Sequence, residues 1–278
     1  MLVSVIITTK NEEKNIENCL KSIKDQSYSQ DLLEIIVVDN KSDDKTKEIA
    51  LQYTDKVFDK GPERSAQRNF GVEKASGEYF MYLDADMILH KDVINDCVEK
   101  ISVIPVEAGI QLNNTVALYV SEIVMGDKFF SKVRRFERSF YDATVVDCAR
   151  FIRKSSFQQV AGFDENLTGP EDWDLDKKLR NIGHIGLITT PIYHNEAEFD
   201  LGKYLSKKGY YAKKFDEYIE KWGKDDEDLK KQFGLYYRFF GIFTEKGKWK
   251  KMIAHPFLTF GMYFLRGLVG LKFITRKG

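Results

Sequence analysis

The first hundred residues alternate between two hydrophobic periods. Four short apolar runs rich in β-branched or aromatic residues are typical of strands, and they lie at 4–9, 34–39, 56–58 and 79–83. Between these runs, apolar residues recur at the i, i+3, i+4, i+7 spacing of one helix face, as at Ile16, Cys19, Leu20 and Ile23, at Thr46, Ile49, Ala50 and Tyr53, and at Ile94, Cys97, Val98 and Ile101. A further helix is predicted over 63–75. This order predicts an α/β fold with a mostly parallel sheet of Rossmann-like βα units.

Polar residues cluster where the predicted strands end. The stretch "YFMYLDADMIL" (79–89) runs from a strand into Asp84 and Asp86, and Asp39 ends the second strand. In open α/β sheets, ligands bind at the carboxyl ends of the strands. The D-x-D spacing suits a hard divalent cation whose shell is completed by diphosphate oxygens. The alternative is that the two aspartates only cap the next helix.

Composition and the absence of certain motifs argue against several classes of function. Lys plus Arg equals Asp plus Glu at 43 each, so no overall charge favours nucleic acid as a partner. The phosphate-binding patterns GxxxxGK[ST] and GxGxxG are absent, which argues against a P-loop or a dinucleotide fold. The three cysteines, Cys19, Cys97 and Cys148, have no metal spacing and suit buried thiols of a reduced compartment. The N-terminal stretch lacks a signal-peptide pattern, and no run of 18 apolar residues occurs, so a cytoplasmic protein is expected.

Four blocks of the chain resemble one family in order and spacing. They are "VSVIITTKNEEKNIENCLKSI", "IIVVDNKSDDKT", "RSAQRNFGVEKASGEYFMYLDADM" and "VAGFDENLTGPEDWDLDKKLRNIG". The sequence between roughly 2 and 195 is similar to glycosyltransferase family 2, an inverting family with the GT-A fold. The resemblance implies a hexosyltransferase-type enzyme with a nucleotide-sugar donor. UDP is the expected nucleotide because it is the commoner donor in this family.

The resemblance also implies roles for matching residues. Binding of the nucleotide sugar is assigned to Thr8, Lys10, Glu12, Asp39, Arg64, Arg68, Asp84 and Glu171. A Mn²⁺ or Mg²⁺ cofactor is assigned to Asp86, with Asp84 supporting and His194 as a further ligand. Asp172 in "GPEDWDL" matches the general base, with Glu171 beside it.

Physical chemistry supports these roles with differing strength. An inverting transfer needs one base for the acceptor hydroxyl and neutralisation of the departing diphosphate, so one carboxylate and one cation suffice. However, "GPEDWDL" also places acids in the first turn of a helix, where the helix dipole favours them without any catalytic role. A single histidine such as His194 beside a strand end is more often structural.

The rest of the cleft is less well defined by its pattern. Segment 129–165 mixes aromatic residues with the arginines Arg134, Arg135, Arg138, Arg150 and Arg153. Arg150 or Arg153 could face phosphate oxygens, but for most of these residues we favour an amphipathic surface helix with solvated arginines. Asp147 and Asp164 are candidate acceptor contacts on resemblance. Segment 102–115 is predicted to be a loop or an irregular strand.

The character of the sequence changes near residue 200. We predict a catalytic domain over 1–200 and a helical C-terminal region over 201–278, whose charged helices with spaced aromatics pack on the domain surface. Segment 246–278 begins with four lysines in six residues and continues with two apolar runs split by Arg266 and interrupted by Lys272. These runs are too short to cross a bilayer of about 30 Å. They suit an interfacial helix on the cytoplasmic face of an anionic membrane, with Trp249 and Tyr263 near the headgroups, or else a helix packed on the domain.

The sequence therefore predicts transfer of a sugar to a hydroxyl of a glycan or lipid-linked acceptor in the synthesis of cell-envelope polysaccharide. Two alternatives stay open. A sugar-nucleotide nucleotidyltransferase would need a glycine-rich, arginine-containing loop after the first strand, and "TTKNEEKN" has none. A non-catalytic nucleotide-sugar binding protein could dispense with the base, whereas this chain keeps both Asp86 and Asp172.

Overall fold

The computed structural model describes residues 1–102, 114–196, 199–211 and 214–274, with 272–274 as backbone only. Most of the predicted irregular segment 102–115 lies outside the described residues. The strands are β1 (Val3–Thr9), β2 (Leu33–Asp39), β3 (Val57–Asp59), β4 (Tyr79–Asp84), β5 (Met87–Leu89), β6 (Thr115–Val124), β7 (Phe151–Arg153) and β8 (His184–His194). The helices are α1 (Ile16–Lys24), α2 (Thr46–Ala50), α3 (Arg64–Lys74), α4 (Val93–Ser102), α5 (Phe129–Arg138), α6 (Lys154–Gln159), α7 (Glu171–Arg180), α8 (Leu201–Tyr211), α9 (Phe215–Trp222), α10 (Glu227–Phe233), α11 (Ile242–Thr244), α12 (Trp249–Ala254) and α13 (Pro256–Ile274).

The predicted α/β fold is confirmed, and the sheet has two halves of different character. Within the described residues it runs in the order β3-β2-β1-β4-β7-β6-β8-β5. The first four of these strands are parallel, as the alternating pattern predicts. In the second half β7 is antiparallel to both β4 and β6, β5 is antiparallel to β8, and β6 and β8 are parallel. The pairing of these strands joins segments that are far apart in the chain, which no local pattern encodes, so the sequence did not predict this mixed half.

The core lies on both faces of the sheet. One face buries Val5, Ile7 and Met81 against α1 and α4, and the other buries Ile6, Phe80 and Tyr82 against α3 and α7. All three cysteines are buried and free, as predicted.

Helix α3 lies unusually close to the sheet at Gly71. A Cβ at this position would overlap Cγ2 of Ile6 in β1 and would lie 3.3 Å from Cγ2 of Val38 in β2. Because no side chain separates the helix from the strands, the N-terminal residues of α3 can reach the carboxyl edge of the sheet.

The C-terminal helices pack against α5, in agreement with the packing alternative. On α13, Met262 and Leu265 are fully buried against Val133 and Phe140. The opposite face of α13 is exposed and apolar, with Phe257 at 80% and Phe260 at 74% exposure. None of the helices in the described part of the chain combines the length and apolarity needed to cross a bilayer. The boundary near residue 200 stays a prediction.

Candidate active site

A cavity of about 500 Å³ opens at the carboxyl edge of the parallel strands. Seven of the residues predicted for the site line it: Glu12, Arg64, Asp84, Asp86, Glu171, Asp172 and His194. They come from five separate segments of the chain, so the fold brings together residues as distant in sequence as Glu12 and His194. This volume is in the range that proteins use for small-molecule substrates.

The other four predicted residues do not line the cavity. Thr8 is buried beneath it, and its hydroxyl donates to Asp84 Oδ1 at 3.2 Å. Lys10 is exposed on the surface. Asp39 is fully buried, and its carboxylate accepts hydrogen bonds from the backbone N–H and the hydroxyl of Ser42. Their predicted contacts with the nucleotide remain predictions.

Arg68 requires a correction. It was expected near the base and diphosphate of the donor, but its side chain is only 1% exposed, so no ligand can reach it in this conformation. Its Nη2 lies 3.0 Å from Asp84 Oδ1, and its Nη1 lies 2.9 Å from Asp172 Oδ1. The guanidinium also stacks on the ring of Tyr82 at 4.6 Å. Arg68 therefore positions two carboxylates that face the cavity.

The charge of Arg68 determines the ionisation of Asp84. Burial alone would raise the pKa of Asp84, but the positive charges of Arg68 and Arg64 outweigh that effect and hold this pKa well below its ordinary value. Asp84 is thus an ionised carboxylate already paired with two guanidinium groups.

The first turn of α7 presents two acids with different surroundings. Glu171 is 3% exposed, its Oε2 accepts the backbone N–H of Gly169, and burial together with neighbouring Asp172 raises its pKa. Asp172 keeps 23% of its side chain exposed, and its Oδ1 accepts from Arg68 and from the hydroxyl of Tyr82 at 3.2 Å. Within the described residues Oδ2 of Asp172 has no hydrogen-bond donor. Both acids of this helix start line the cavity, and Asp172 is the more exposed of the two.

A carboxylate–histidine–carboxylate row forms the opposite wall. The register of β5 and β8 pairs Met87 with His194, which brings the ring beside Asp86. His194 Nε2 lies 3.2 Å from Asp86 Oδ2, and its Nδ1 lies 2.7 Å from Glu122 Oε1. Burial lowers the pKa of His194, but hydrogen bonds to Asp86 and Glu122 outweigh it and raise the pKa to about 10. The sequence analysis missed Glu122, because nothing local marks a strand residue that faces a histidine 72 positions away.

The residues at this wall fit a divalent cation. Asp86 Oδ1 is buried and has no hydrogen-bond partner, so this oxygen is available to bind a ligand. Within the described residues no group of three or more His, Cys, Asp or Glu side chains is arranged to hold a metal by itself. Asp86 could supply one ligand, and His194 could supply a second only as the neutral ring, after loss of the proton that Asp86 and Glu122 now favour. Oxygens of a bound diphosphate and water would have to complete the shell.

The prediction of solvated arginines is wrong for Arg134 and Arg138, whereas Arg150 was one of the two arginines named as able to face phosphate oxygens. Arg134 and Arg138 in α5 are each 11% exposed, Arg150 is 8% exposed, and all three line the cavity. Helix α5 is covered by α13 on its apolar side, which turns its charged side toward the cavity. Arg138 binds Glu122 at 3.2 Å and Asp147 at 2.8 Å, so buried carboxylates balance part of this charge.

Neither candidate acceptor aspartate lines the cavity. Asp147 is buried against Arg138, and it also accepts the backbone N–H of Ala143 at 2.9 Å. Asp164 is paired with Lys221 at 2.7 Å. Both interactions are structural.

Helix α8 contributes a further wall that the sequence analysis assigned to the outer surface. Five of its residues line the cavity: Lys203, Tyr204, Lys207, Lys208 and Tyr211. Its C-terminal turn is fixed to α3, since Arg64 Nη2 donates to the hydroxyl of Tyr211 at 3.0 Å. The signal in the sequence was the i, i+4 spacing of Lys203 and Lys207, which places both on one face.

Comparison with known proteins identifies the family. The family model described as glycosyl transferase family 2 matches residues 4–161, more than half of the chain. The chain belongs to this family. Family 2 membership makes the protein a glycosyltransferase and confirms the resemblance found in the sequence. It also decides against the nucleotidyltransferase and the non-catalytic binding protein.

Three curated relatives are 27% to 32% identical to this glycosyltransferase over the aligned residues. Glycosyltransferase AglE of Haloferax volcanii is 27% identical over 84% of this chain and 78% of its own length. An uncharacterized glycosyltransferase of Rickettsia typhi is 27% identical over 66% of this chain, which spans 60% of that relative. The poly(ribitol-phosphate) β-N-acetylglucosaminyltransferase TarS of Staphylococcus aureus is 32% identical over 34% of this chain, but that match spans only 18% of TarS.

Solved structures share the GT-A fold. The mannosyltransferase PcManGT of Pyrobaculum calidifontis, in complex with GDP-Man and Mn²⁺, has a TM-score of 0.63 at 18% identity, over 97% of this chain and 83% of that one. TarS residues 1–349 in complex with UDP-GlcNAc has a TM-score of 0.56 at 19% identity, over 91% of this chain and 75% of that one. At these identities the likeness shows the fold.

Replacing Arg68 tests its role in holding the carboxylates. We expect Arg68→Met to lower the free energy of unfolding by about 3–5 kcal/mol, because Asp84 would lose its buried partner. The control is Arg64→Met, whose side chain is 32% exposed, and it should cost at most about 1 kcal/mol. Urea denaturation followed by circular dichroism measures both. Equal losses in the two variants would contradict the special position of Arg68.

Proposed function

We propose that the enzyme transfers a sugar, with inversion, from a UDP-sugar to a hydroxyl of a glycan or lipid-linked acceptor in the synthesis of surface glycans. One observation carries the proposal. A single cavity holds Asp172 on one wall and the Asp86–His194 pair on another, and Arg68 joins the two sides through Asp84. This is the arrangement that a single displacement needs, with a base for the acceptor and a cation site for the leaving group.

The named relatives support the same class of reaction. TarS is a β-N-acetylglucosaminyltransferase acting on poly(ribitol phosphate), and its structure contains UDP-GlcNAc. PcManGT binds GDP-Man together with Mn²⁺. Both therefore use nucleotide-diphosphate sugars, which supports the donor class for this chain.

Different side chains of the cavity have different roles in the proposed reaction. Asp172 Oδ2 accepts the proton of the acceptor hydroxyl while that oxygen forms a bond to the anomeric carbon and the bond to the diphosphate breaks. Arg68 and Tyr82 fix Asp172 through Oδ1, so the free oxygen keeps one direction. A divalent cation at Asp86 and His194 would neutralise charge on the departing diphosphate.

Two cations of the chain itself support the leaving group. Arg64 lines the cavity beside Asp84, at 3.4 Å from Oδ2. Lys207 on α8 lies near Asp86 and Asp84. Burial lowers the pKa of Lys207, but Tyr211 and these two carboxylates outweigh burial and raise the pKa above its ordinary value. Both side chains would face the oxygens of a diphosphate bound over the D-x-D motif.

Removal of the metal ligand tests the cation site. We expect Asp86→Ala to abolish Mn²⁺ binding, measured by electron paramagnetic resonance, and to abolish metal-dependent turnover, because Asp86 provides the unpartnered oxygen. Asp92→Ala is a matched control, since this acid does not line the cavity. Full activity in EDTA, or in Asp86→Ala, would refute the metal proposal.

Removal of the base tests the displacement itself. We expect Asp172→Asn to lower kcat by about 10² or more, the usual scale for a positioned base. Donor affinity, measured by calorimetry, should change little because Asp172 serves the acceptor. Nearly normal turnover would move the base elsewhere, and a product that retains the anomeric configuration would exclude a single displacement.

We also propose that the enzyme works as a peripheral protein on the cytoplasmic face of a membrane, attached through 246–278. The exposed side chains of Trp249, Ile253, Phe257 and Phe260 would enter the headgroup region, with exposures of 45%, 70%, 80% and 74%. The neighbouring lysines, Lys246, Lys248, Lys250 and Lys251, would face anionic lipid.

Sedimentation with liposomes tests the attachment. We expect the full chain to cosediment with anionic liposomes at low salt, and deletion of 246–278 or the double change Phe257→Ser with Phe260→Ser to release it. Leu51→Ser changes a comparably exposed apolar residue, at 60% exposure, just after α2 and should have no effect. A full-length protein that stays in the supernatant at low salt would contradict the proposal.

A further inference from the structure

Four basic side chains influence one another electrostatically, and we term them the basic cluster: Arg134 of α5, Lys208 of α8, Arg238 of the helical turn Tyr237–Gly241 and Arg266 of α13. Arg134 and Arg238 both affect Lys208, and Arg266 affects Arg238. The carboxylates that act on the cluster within the described residues are Glu137 and Glu196. Four basic groups of the cluster are thus opposed by these two carboxylates.

The two carboxylates are already used by two of the arginines. Glu137 lies 2.7 Å from Arg134 Nη1 and 3.0 Å from Arg266 Nη2, and Glu196 lies 3.2 Å from Arg134 Nη2. Among the described residues, no carboxylate lies within ion-pair distance of Lys208 or Arg238. Burial and the charge of Arg134 lower the pKa of Lys208 to about 8, as expected for a cation without its counter-charge.

The cluster opens to the cavity of the active site. Arg134, Tyr204 and Lys208 all line that cavity. The ring of Tyr204 lies between the two cations, at 5.1 Å from the Arg134 guanidinium and 5.6 Å from the Lys208 ammonium. Arg134 Nε and Arg266 Nε are buried without hydrogen-bond partners, so the cluster retains unused donors.

Neighbouring lysines of α8 serve different parts of the cavity. Lys207 interacts electrostatically with Asp84 and Asp86, at the proposed donor site. Lys208 interacts with Arg134, Arg238 and two glutamates. Successive helix positions are about 100° apart, and this difference separates the basic cluster from the cation site.

Helix α13 connects the cluster with an exposed apolar face. Arg266 points inward at 8% exposure, whereas Phe257, Phe260 and Phe264 lie on the outer side at 80%, 74% and 47% exposure. A ligand that carries both an anionic group and a hydrocarbon chain would complement both sides of this helix. A glycan without a charged group would leave the unpaired cations of the cluster without a counter-charge, which is costly away from bulk water.

We propose that the basic cluster binds the phosphate of a lipid-linked acceptor, whose chain lies along the outer face of α13 and whose sugar end reaches Asp172. This assignment rests on the proposed function and names the acceptor class for it. A phosphate group carries a charge of about −1.5 to −2 near neutral pH, which suits Lys208 and Arg238, the two cations of the cluster without an ion-pair partner among the described residues. Its oxygens accept the hydrogen bonds that Arg134, Lys208 and Arg238 have available.

Calorimetric titration with simple amphiphiles tests the site without donor and in EDTA, so that neither the cation site nor turnover contributes. The probes are decyl phosphate below its micelle-forming concentration, inorganic phosphate, and decyl glucoside as a neutral amphiphile with the same chain. We expect decyl phosphate to bind at least tenfold more tightly than either of the others. Lys208→Met and Arg238→Met should each weaken it about tenfold, and Lys208→Arg should restore it.

Lys214→Met is the matched control, because it removes one positive charge from an exposed pair with Glu217 at 2.6 Å and should leave binding unchanged. Unaltered binding by Lys208→Met would overturn the assignment of the cluster. Equal affinity for inorganic phosphate would point to a soluble phosphorylated acceptor, and equal affinity for decyl glucoside would show an apolar site alone; either result overturns the lipid-phosphate proposal. If the enzyme shows no preference for decyl phosphate but still transfers sugar to a neutral acceptor, this inference is refuted and the proposed function stands.

Discussion

The site depends on one buried ion network, in which the guanidinium of Arg68 joins Asp84 at the end of β4 to Asp172 at the start of α7. A guanidinium excluded from solvent is tolerable only when carboxylates and an aromatic face compensate it, and Asp84, Asp172 and Tyr82 do so here. The network in turn requires α3 to lie directly on the sheet, which Gly71 permits. A single packing contact therefore sets the distance between the proposed cation side and the proposed base side of the cleft.

The sequence predicted the parallel half of the fold and most of the acidic residues in the site, because local sequence patterns indicate both. Strand and helix periods identify β1 to β4, and a ligand edge follows from where parallel strands end. The pairing of β5 with β8, which brings His194 beside Asp86, depends on a register between segments about a hundred residues apart, and no local pattern encodes it. The family resemblance supplied His194, and only the structure supplied its partner Glu122.

Burial of the arginines was mispredicted for a related reason. A charged face of an amphipathic helix is normally the solvated one, and α5 has that pattern. Here α13 covers the apolar face from outside, so the charged face of α5 lines the cavity. Whether a polar face meets water or a binding site depends on what covers its other face, which is information from more than a hundred residues further along the chain.

The C-terminal helices are part of the site rather than a separate attachment. Helix α8 carries Lys207 toward Asp84 and Asp86 and Lys208 toward the basic cluster, and its end is fixed to Arg64 through Tyr211 at 3.0 Å. A division at residue 200 would therefore remove one wall of the cavity. Because the same helix touches the donor side and the proposed acceptor side, any movement of α8 changes the electrostatic environment of both. Under the two proposals, the lysines of one short helix would give donor and acceptor a common structural element, and the family-matched segment 4–161 lacks this wall.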